Sequence, residues 1–453
     1  MSEPQLVWLR QDLRLADQPA FAAAAQAGPT VALYVLDDET PAQWAIGGAQ
    51  RWWLHHSLAR LGAALAEKGG ALILRRGRAA EVVSRVADEI GAAAIHAVRH
   101  YEPWWRKVEA ELGDRLTLHE GDVLHEPSRI RSGSGGAFKI YGPYYRALEA
   151  KGPPAEPRPA PRRIVAPTKL PQSDTLDSWE LLPSKPNWAG GFNIWNPGEA
   201  GAARQLESFS RRAPRYAAER DRPAEEGTSS LSHHLHWGEI SPREVWHGVD
   251  EGAGDKFRRE LAWRDFSRSV ELADPQVGSR EQRPIGIRYR EGKAADADFR
   301  AWKKGRTGYP FVDAGMRQLW ATGWMHNRAR LVTASFLVKH LLIPWWRGEA
   351  WFWDTLVDAD YGNNGQNWQW IAGTGFDSQP FYRIMAPLTQ SEKFGAADYI
   401  RRWVPELAHL PDADIHDPWG RGAAPAGYPE PLIGHKEARE RALQAFRERR
   451  VPD

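Results

Sequence analysis

The strongest constraint on this chain is a change of pattern partway along its 453 residues. Residues 5–130 alternate short β-rich runs, at 6–9, 30–36, 71–74, 94–98 and 116–118, with Ala-rich helical stretches at 19–27, 50–68, 79–90 and 104–112. Strands separated by helices pair in parallel, because each helix carries the chain back to the same end of the sheet, and the helices cover both faces. The first 130 residues therefore read as a Rossmann-like α/β domain with a parallel sheet. No G-x-G-x-x-G follows the first strand, so the usual dinucleotide fingerprint is missing. Between 131 and 196 the pattern dissolves. Pro153, Pro154, Pro157, Pro159, Pro161, Pro167 and Pro171 bar helix interiors, and the stretch reads as a long connector lying on a surface. From 197 to 453 the periodicity is helical almost throughout, with clear stretches at 256–272, 312–322, 327–342 and 351–357.

Composition narrows the chemistry. There is no cysteine, which excludes disulfides, thiolate metal ligands, cysteine-held iron–sulfur clusters and thiol catalysis. No apolar run is long enough for a membrane span, and the start Met1-Ser2-Glu3-Pro4 lacks a basic leader, so the expected location is the cytoplasm. Net charge is only +2, yet residues 255–330 hold 17 basic against 10 acidic side chains. Such a zone is either a solvated helical face or a seat for a polyanion. The 23 tryptophans fill cores, offer stacking surfaces, or do both.

Several segments concentrate polar chemistry. Thr228-Ser229-Ser230-Leu231-Ser232 precedes a helical stretch, where hydroxyls and free backbone N–H groups cap the helix or receive an anion such as a diphosphate. Helical spacing places Glu260, Trp263 and Arg264 on one face, as a surface ion pair beside a half-buried ring or as a site for a flat polar ligand. Asp358 and Asp360, followed by Asn363, Asn364, Gln366 and Asn367, could bind a divalent cation or simply satisfy turns. His233, His234 and His236 lack an accompanying acidic cluster, which argues against a metal site and for a structural role.

Taken in order, Gly-Thr-Ser-x-Leu-Ser, Glu-Leu-x-Trp-Arg-x-Phe, Thr-Gly-Tyr-Pro-x-Val-Asp-Ala, Gly-Trp-Met-His-Asn-Arg and Trp-Gln-Trp resemble the photolyase/cryptochrome family, as does the opening Leu6–Leu15. The likeness runs nearly the whole length and points to bacterial class I enzymes acting on cyclobutane pyrimidine dimers. It implies FAD bound in the helical domain and active in its reduced, anionic form. Tyr216 and Thr228 to Ser232 fall at cofactor-contacting positions, with Ser230 where many relatives carry Arg. Arg264, Arg330, Asp358 and Asp360 fall on the same cofactor, Arg330 pairing with Asp358, which displaces the metal reading. Asn364 matches the position opposite flavin N5. Plant-type cryptochromes have Asp there, so Asn favours repair.

For the reaction, the resemblance implies that Glu260 hydrogen-bonds the dimer and stabilises its radical anion, while Trp263 and Trp370 pack on the pyrimidines. Asn327 lies between flavin and lesion, and Leu331 stands where many relatives have Met. Trp368, Trp345 and Trp302 match electron-relay positions running outward to the surface. Arg220, Arg328, Arg383 and Gln390, with Trp263, fall at DNA-contacting positions around a flipped lesion. A second, light-harvesting chromophore is common in the family. The stretch Tyr101–Trp105 and Gly47 depart from the folate-contacting pattern, which favours a deazaflavin-type antenna. The partner is UV-damaged DNA, and the chain is expected to act as a monomer. A (6-4) photolyase would carry two histidines where Asn327 and Leu331 stand. A cryptochrome-type receptor would often carry a long C-terminal tail.

Overall fold

Strands β1 (Gln5–Leu9), β2 (Thr30–Leu36), β3 (Leu72–Arg76), β4 (Ala94–Val98) and β5 (Leu116–His119) form one parallel sheet in the order β3-β2-β1-β4-β5. The computed structural model describes residues 2–250, 252 and 254–450. Alternate residues of the central strands bury against opposite layers. Leu6 and Trp8 point with Val31, Leu33 and Ile95 toward helices Ala79–Ile90 and Pro103–Leu112. Val7 and Leu9 point with Ala32, Tyr34 and Leu36 toward helices Pro19–Ala27 and Gly48–Glu67. Winding reverses between β1 and β4, so the ends of those strands open toward whatever packs above them. In this chain the helical part packs there.

The stretch from 131 to 195 contains no strand and is tied down at intervals. Helix Tyr141–Glu149 buries Tyr144 and Leu148. Farther on, Asp174 N donates to the carbonyl of Leu74 and Ser173 Oγ accepts from Leu74 N, so the chain covers edge strand β3. Covering that edge removes a template for pairing with another sheet.

The helical part is organised around helix Asp255–Ala273, which is buried on most sides. Helix Tyr361–Ala372 begins with Asp360, whose carboxylate caps Asn363 N at 2.8 Å, and ends at Gly373 in the left-handed conformation, φ 82°. The helix expected at 327–342 is α-helical only over Asn327–Ser335 and continues as a π turn over Phe336–His340. The helix expected to start at 351 starts at Trp345, because extended Pro344 fixes its first turn from outside. Among the described residues no helix is long and apolar enough to cross a membrane.

Candidate active site

Three helices wall a cavity of about 450 Å³ in the helical part. Helix Asp255–Ala273 contributes Glu260, Trp263 and Ser267, at the i, i+3, i+7 spacing of one face. Helix Asn327–Ser335 contributes Asn327, Arg330 and Leu331. Helix Tyr361–Ala372 contributes Asn363, Gln366, Asn367 and Trp370. The adjoining stripe of that last helix, Asn364, Trp368 and Ile371, faces a deeper lobe of about 110 Å³ that shares Asn327, Arg330, Asp358 and Asn363 with the first. Asp360 lines this deeper lobe as well. Residues Thr228 to Ser232, with Tyr216 and Arg220, close the opposite wall.

The polarity of the cavity is graded. At one end lie the hydroxyls of Thr228, Ser229, Ser230 and Ser232. Their segment turns sharply: Ser230 has φ 50°, and a Cβ at Gly227 would lie 2.5 Å from the backbone of Glu219. The helix that follows, Ser232–His236, has only five residues, so an anion there would rely on hydroxyls and local amides rather than on a long helix dipole. At the other end are two carboxylates, each facing a guanidinium. Arg330 Nη2 donates to both Asp358 oxygens, at 2.8 and 3.1 Å. Arg268 reaches Asp360 at 2.8 Å. Burial, the largest single influence, would raise Asp360, but Arg268, the His236 hydrogen bond and charge, and Arg264 together outweigh it and hold the carboxyl well below its usual range. Positive charge already balances both aspartates, so neither calls for a metal ion.

Behind the deeper lobe, Asn364 Nδ2 donates to Glu349 Oε1 at 2.7 Å and to the Glu349 carbonyl at 3.2 Å. That fixes the amide and leaves its Oδ1 as the free polar atom of the side chain. Burial pushes Glu349 up to about 8, against the lowering effect of the Asn364 hydrogen bond. At the mouth, Glu260 pairs with Arg220, and Lys256 stands 3.6 Å away. Trp263 is covered on one face by Tyr141, stacked at 3.7 Å and 11°, so a ligand ring has only the other face. Tyr141 is in turn placed by its backbone N–H, which donates to Asp377 at 2.7 Å, and Asp377 also lines the mouth.

Several residues singled out from the sequence lie off the cavity. Arg264 turns away from Glu260 and Trp263 to pair with Asp122, at the end of β5. With Arg268, Glu102, Asp122 and Glu271 it forms a buried ionic cluster joining the sheet to the cavity floor. Arg328 pairs with Asp221 at 2.7 Å and lies over Phe394, just past helix Pro387–Lys393, which carries Gln390. Arg383 is exposed on the loop before that helix. Trp368 packs over Gly348, on the helix that Trp345 begins, and Trp302 stands 6.3 Å from Trp368. Trp302 is 0% exposed and so does not reach the surface, whereas Trp346, 5.9 Å from Trp345, is 46% accessible. The histidines are structural: His234 bonds Glu239, His233 lies between Trp53 and Trp195, and His236 faces Gln50.

Sequence reading missed Tyr141, Asp377, Glu349 and Trp346. No periodicity links them to the motifs, because each reaches the site through a contact distant in sequence, or, for Trp346, through exposure alone.

The DNA photolyase family matches residues 5–162, and the FAD binding domain of DNA photolyase matches residues 257–448. The deoxyribodipyrimidine photo-lyase of Agrobacterium fabrum is 43% identical, over 98% of this chain and 97% of that protein. The chain belongs to the photolyase/cryptochrome family. Cryptochrome-1 of Arabidopsis thaliana is 35% identical, over 97% of this chain and 70% of that protein. The crystal structure of a bacterial class III photolyase from Agrobacterium tumefaciens superposes with a TM-score of 0.93 at 42% identity, covering 99% of this chain and 98% of that one. The sequence motifs pointed to class I, whereas this neighbour is of class III; motifs shared across the family do not separate the two. The photolyase fold thus accounts for the parallel sheet and the helical domain, and the FAD-binding match covers those residues of the three helices that line the cavity. Its residues fit an extended dinucleotide: hydroxyls and amides at one end suit a diphosphate, and the fixed Asn364 amide and two carboxylates at the other suit ribose and a ring bearing N–H groups.

Proposed function

We propose that this protein repairs cyclobutane pyrimidine dimers in UV-damaged DNA under blue light. When bound and reduced, FAD supplies the photoexcited electron that opens the cyclobutane ring and then returns to it. The observation that carries this reading is the two-lobed cavity. Asp358, Asp360 and Asn364 lie in the deep lobe, and Glu260, Trp263, Asn327 and Trp370 lie at the mouth directly above it. A ligand held below and a lesion held above would share Asn327.

In this reading Tyr216 and Thr228 to Ser232 hold the cofactor's phosphates and sugar, and Asn364 accepts a hydrogen bond from the ring. Arg330 orients Asp358, and Arg264 acts one layer farther out, through Asp122 and Arg268. Glu260 hydrogen-bonds the lesion and stabilises charge arriving on it. Trp263 and Trp370 form apolar walls for an extruded pyrimidine pair, and Trp324 with Leu331 narrows the space around it. Arg220, Arg328, Arg383 and Gln390 contact DNA around the flipped nucleotides, which makes binding weaken with salt. Trp368, Trp345 and Trp302 serve as relay indoles, with Trp346 as their solvent end. An antenna chromophore of deazaflavin type completes the proposal. The groove lined by Trp44, Gly47, Gly278, Trp346 and Trp353 offers indole walls for a planar ring. The protein works as a cytoplasmic monomer.

Asn327 and Leu331, in place of a histidine pair, favour cyclobutane dimers over (6-4) lesions. Illumination of the reduced protein with oligonucleotides carrying each lesion tests the whole reading. Cyclobutane dimers should open and (6-4) products should persist. Dimers left intact under light would reject it.

A further inference from the structure

Among the described residues, Lys339 is a charged side chain buried without a counter-ion. It sits in the π turn Phe336–His340, at the end of the helix that carries Asn327 and Leu331, and is 0% exposed. Its Nζ donates to the carbonyl of Arg383 at 2.7 Å and lies 5.7 Å from the Phe381 ring. Burial first, and then the charge of Arg383, push the ammonium down to about 7, and no carboxylate offsets them. Around it stand His340 on the same turn and His435 and Arg441 on helix His435–Arg447, none of them acidic. Helices Trp345–Thr355 and Tyr361–Ala372 also pack on the turn, and no charged group of either acts on Lys339. Burying an unpaired ammonium is costly, and a methionine would fill the same space without that cost. The position therefore calls for what only the amine provides, the hydrogen bond to Arg383.

The segment that receives this bond has no helix or strand of its own between Gly373 and Pro387. Its first half is held from three sides. Arg283 donates to the Gly375 carbonyl and to Ser378 Oγ, each at 2.9 Å. Gln282 Oε1 accepts from Phe376 N at 2.9 Å, and Asp377 accepts from Tyr141 N at 2.7 Å. In its second half Phe381 stacks on Phe446, at 6.0 Å and 8°, and beyond it Tyr382 is 54% exposed beside exposed Arg383. Lys339 is the polar anchor of that half. One side chain thus fixes how an exposed tyrosine and arginine are presented next to a loop whose Asp377 lines the cavity mouth.

We propose that Lys339 is a positioning residue for lesion recognition: its charge-assisted hydrogen bond to the Arg383 carbonyl sets the loop against DNA flanking the extruded dimer. The inference rests on the repair reading above. Its test uses the FAD-loaded protein, with Kd measured for dimer-containing and undamaged duplexes from pH 6 to 8.5 at fixed ionic strength, and repair measured at saturating DNA under light. Wild-type affinity for the dimer duplex should fall several-fold as pH rises through about 7, more than for undamaged duplex. Lys339→Met should bind the dimer duplex about tenfold more weakly at pH 6, about 1.4 kcal/mol by the usual conversion, and show a flat profile. Its flavin absorbance and its repair rate at saturating DNA should match wild type. A variant with wild-type affinity and wild-type pH dependence overturns the proposal. So does a wild-type profile no steeper for damaged than for undamaged DNA, a result that needs no folded variant. Wild-type protein that repairs dimers while failing these comparisons leaves the repair reading standing; wild-type protein that leaves dimers closed removes both.

Discussion

Glu260 and Glu349 are two carboxyl groups whose surroundings push them toward different tasks. Glu260 faces Arg220 and Lys256 at the half-open mouth, so its carboxyl sits beside two cations where a lesion would arrive. Replacing it with Gln keeps the shape and removes the charge. Repair of a dimer oligonucleotide by reduced protein should slow about tenfold, in line with losing roughly 1–3 kcal/mol from one charged hydrogen bond, while flavin absorbance stays as it was. Glu349 is buried and held up at about 8. Folded, it keeps its proton up to that pH; unfolded, it releases the proton near its ordinary value of 4.5. The unfolded chain therefore binds fewer protons across this window, and stability declines as pH rises from about 5 to about 8. Glu349→Gln should remove that decline, with a gain on the order of a few kcal/mol at pH 8, read from denaturant midpoints across the range.

At the scale of elements, helix Tyr361–Ala372 shows how one segment serves two lobes. Asn363, Asn367 and Trp370 line the mouth, and Asn364, Trp368 and Ile371 line the deep lobe, because successive stripes of a 3.6-residue helix lie side by side. Asp360 caps this helix and joins it to Arg268, so the same residue fixes the start of the helix and the floor of the cavity. Trp368 lies on the deep stripe against Gly348. Changing it to Phe should slow light-driven reduction of the bound flavin by external donors at least tenfold, yet leave dimer repair by chemically reduced protein nearly unchanged. Absorbance during illumination and a repair assay on pre-reduced protein separate the two. These stripes were not legible in the sequence, which suggested an amide-rich loop after Asp360; spacing groups their residues only because Tyr361–Ala372 folds as a helix. Nor was the place of Arg264 legible. Its spacing is compatible with the Glu260 face, and the pull of Asp122 from the end of β5 decided where its side chain went.

Across the whole molecule, the sheet and the helical part meet through charge as well as apolar packing. Arg268 is 1% exposed and touches Glu102, Asp122, Glu271 and Asp360, which come from loops after two strands, its own helix and the cap of another. Four carboxylates converge on one guanidinium, with Arg264 sharing Asp122. Removing the cation leaves buried carboxylates facing one another. Arg268→Ala should destabilise the protein by about 3–5 kcal/mol in denaturant titration and weaken FAD retention along with it, because Asp360 loses its partner. The corresponding loss for the part-exposed Arg328–Asp221 pair should be below about 1 kcal/mol.

The amino-acid pattern by itself determined the α/β sheet, since strand and helix periods differ and the strands at 30–36 and 94–98 appear where the β-rich runs stand. Its motifs were also specific enough to place the family. Only the tertiary structure decided that Tyr141 covers one face of Trp263, that Glu349 holds Asn364, that Arg264 serves the interface with the sheet, and that Trp302 is buried while Trp346 is exposed. Periodicity reports which way a side chain leaves its own helix or strand. Which group it meets there depends on segments up to hundreds of residues away, brought together by burial and charge pairing that no local pattern records.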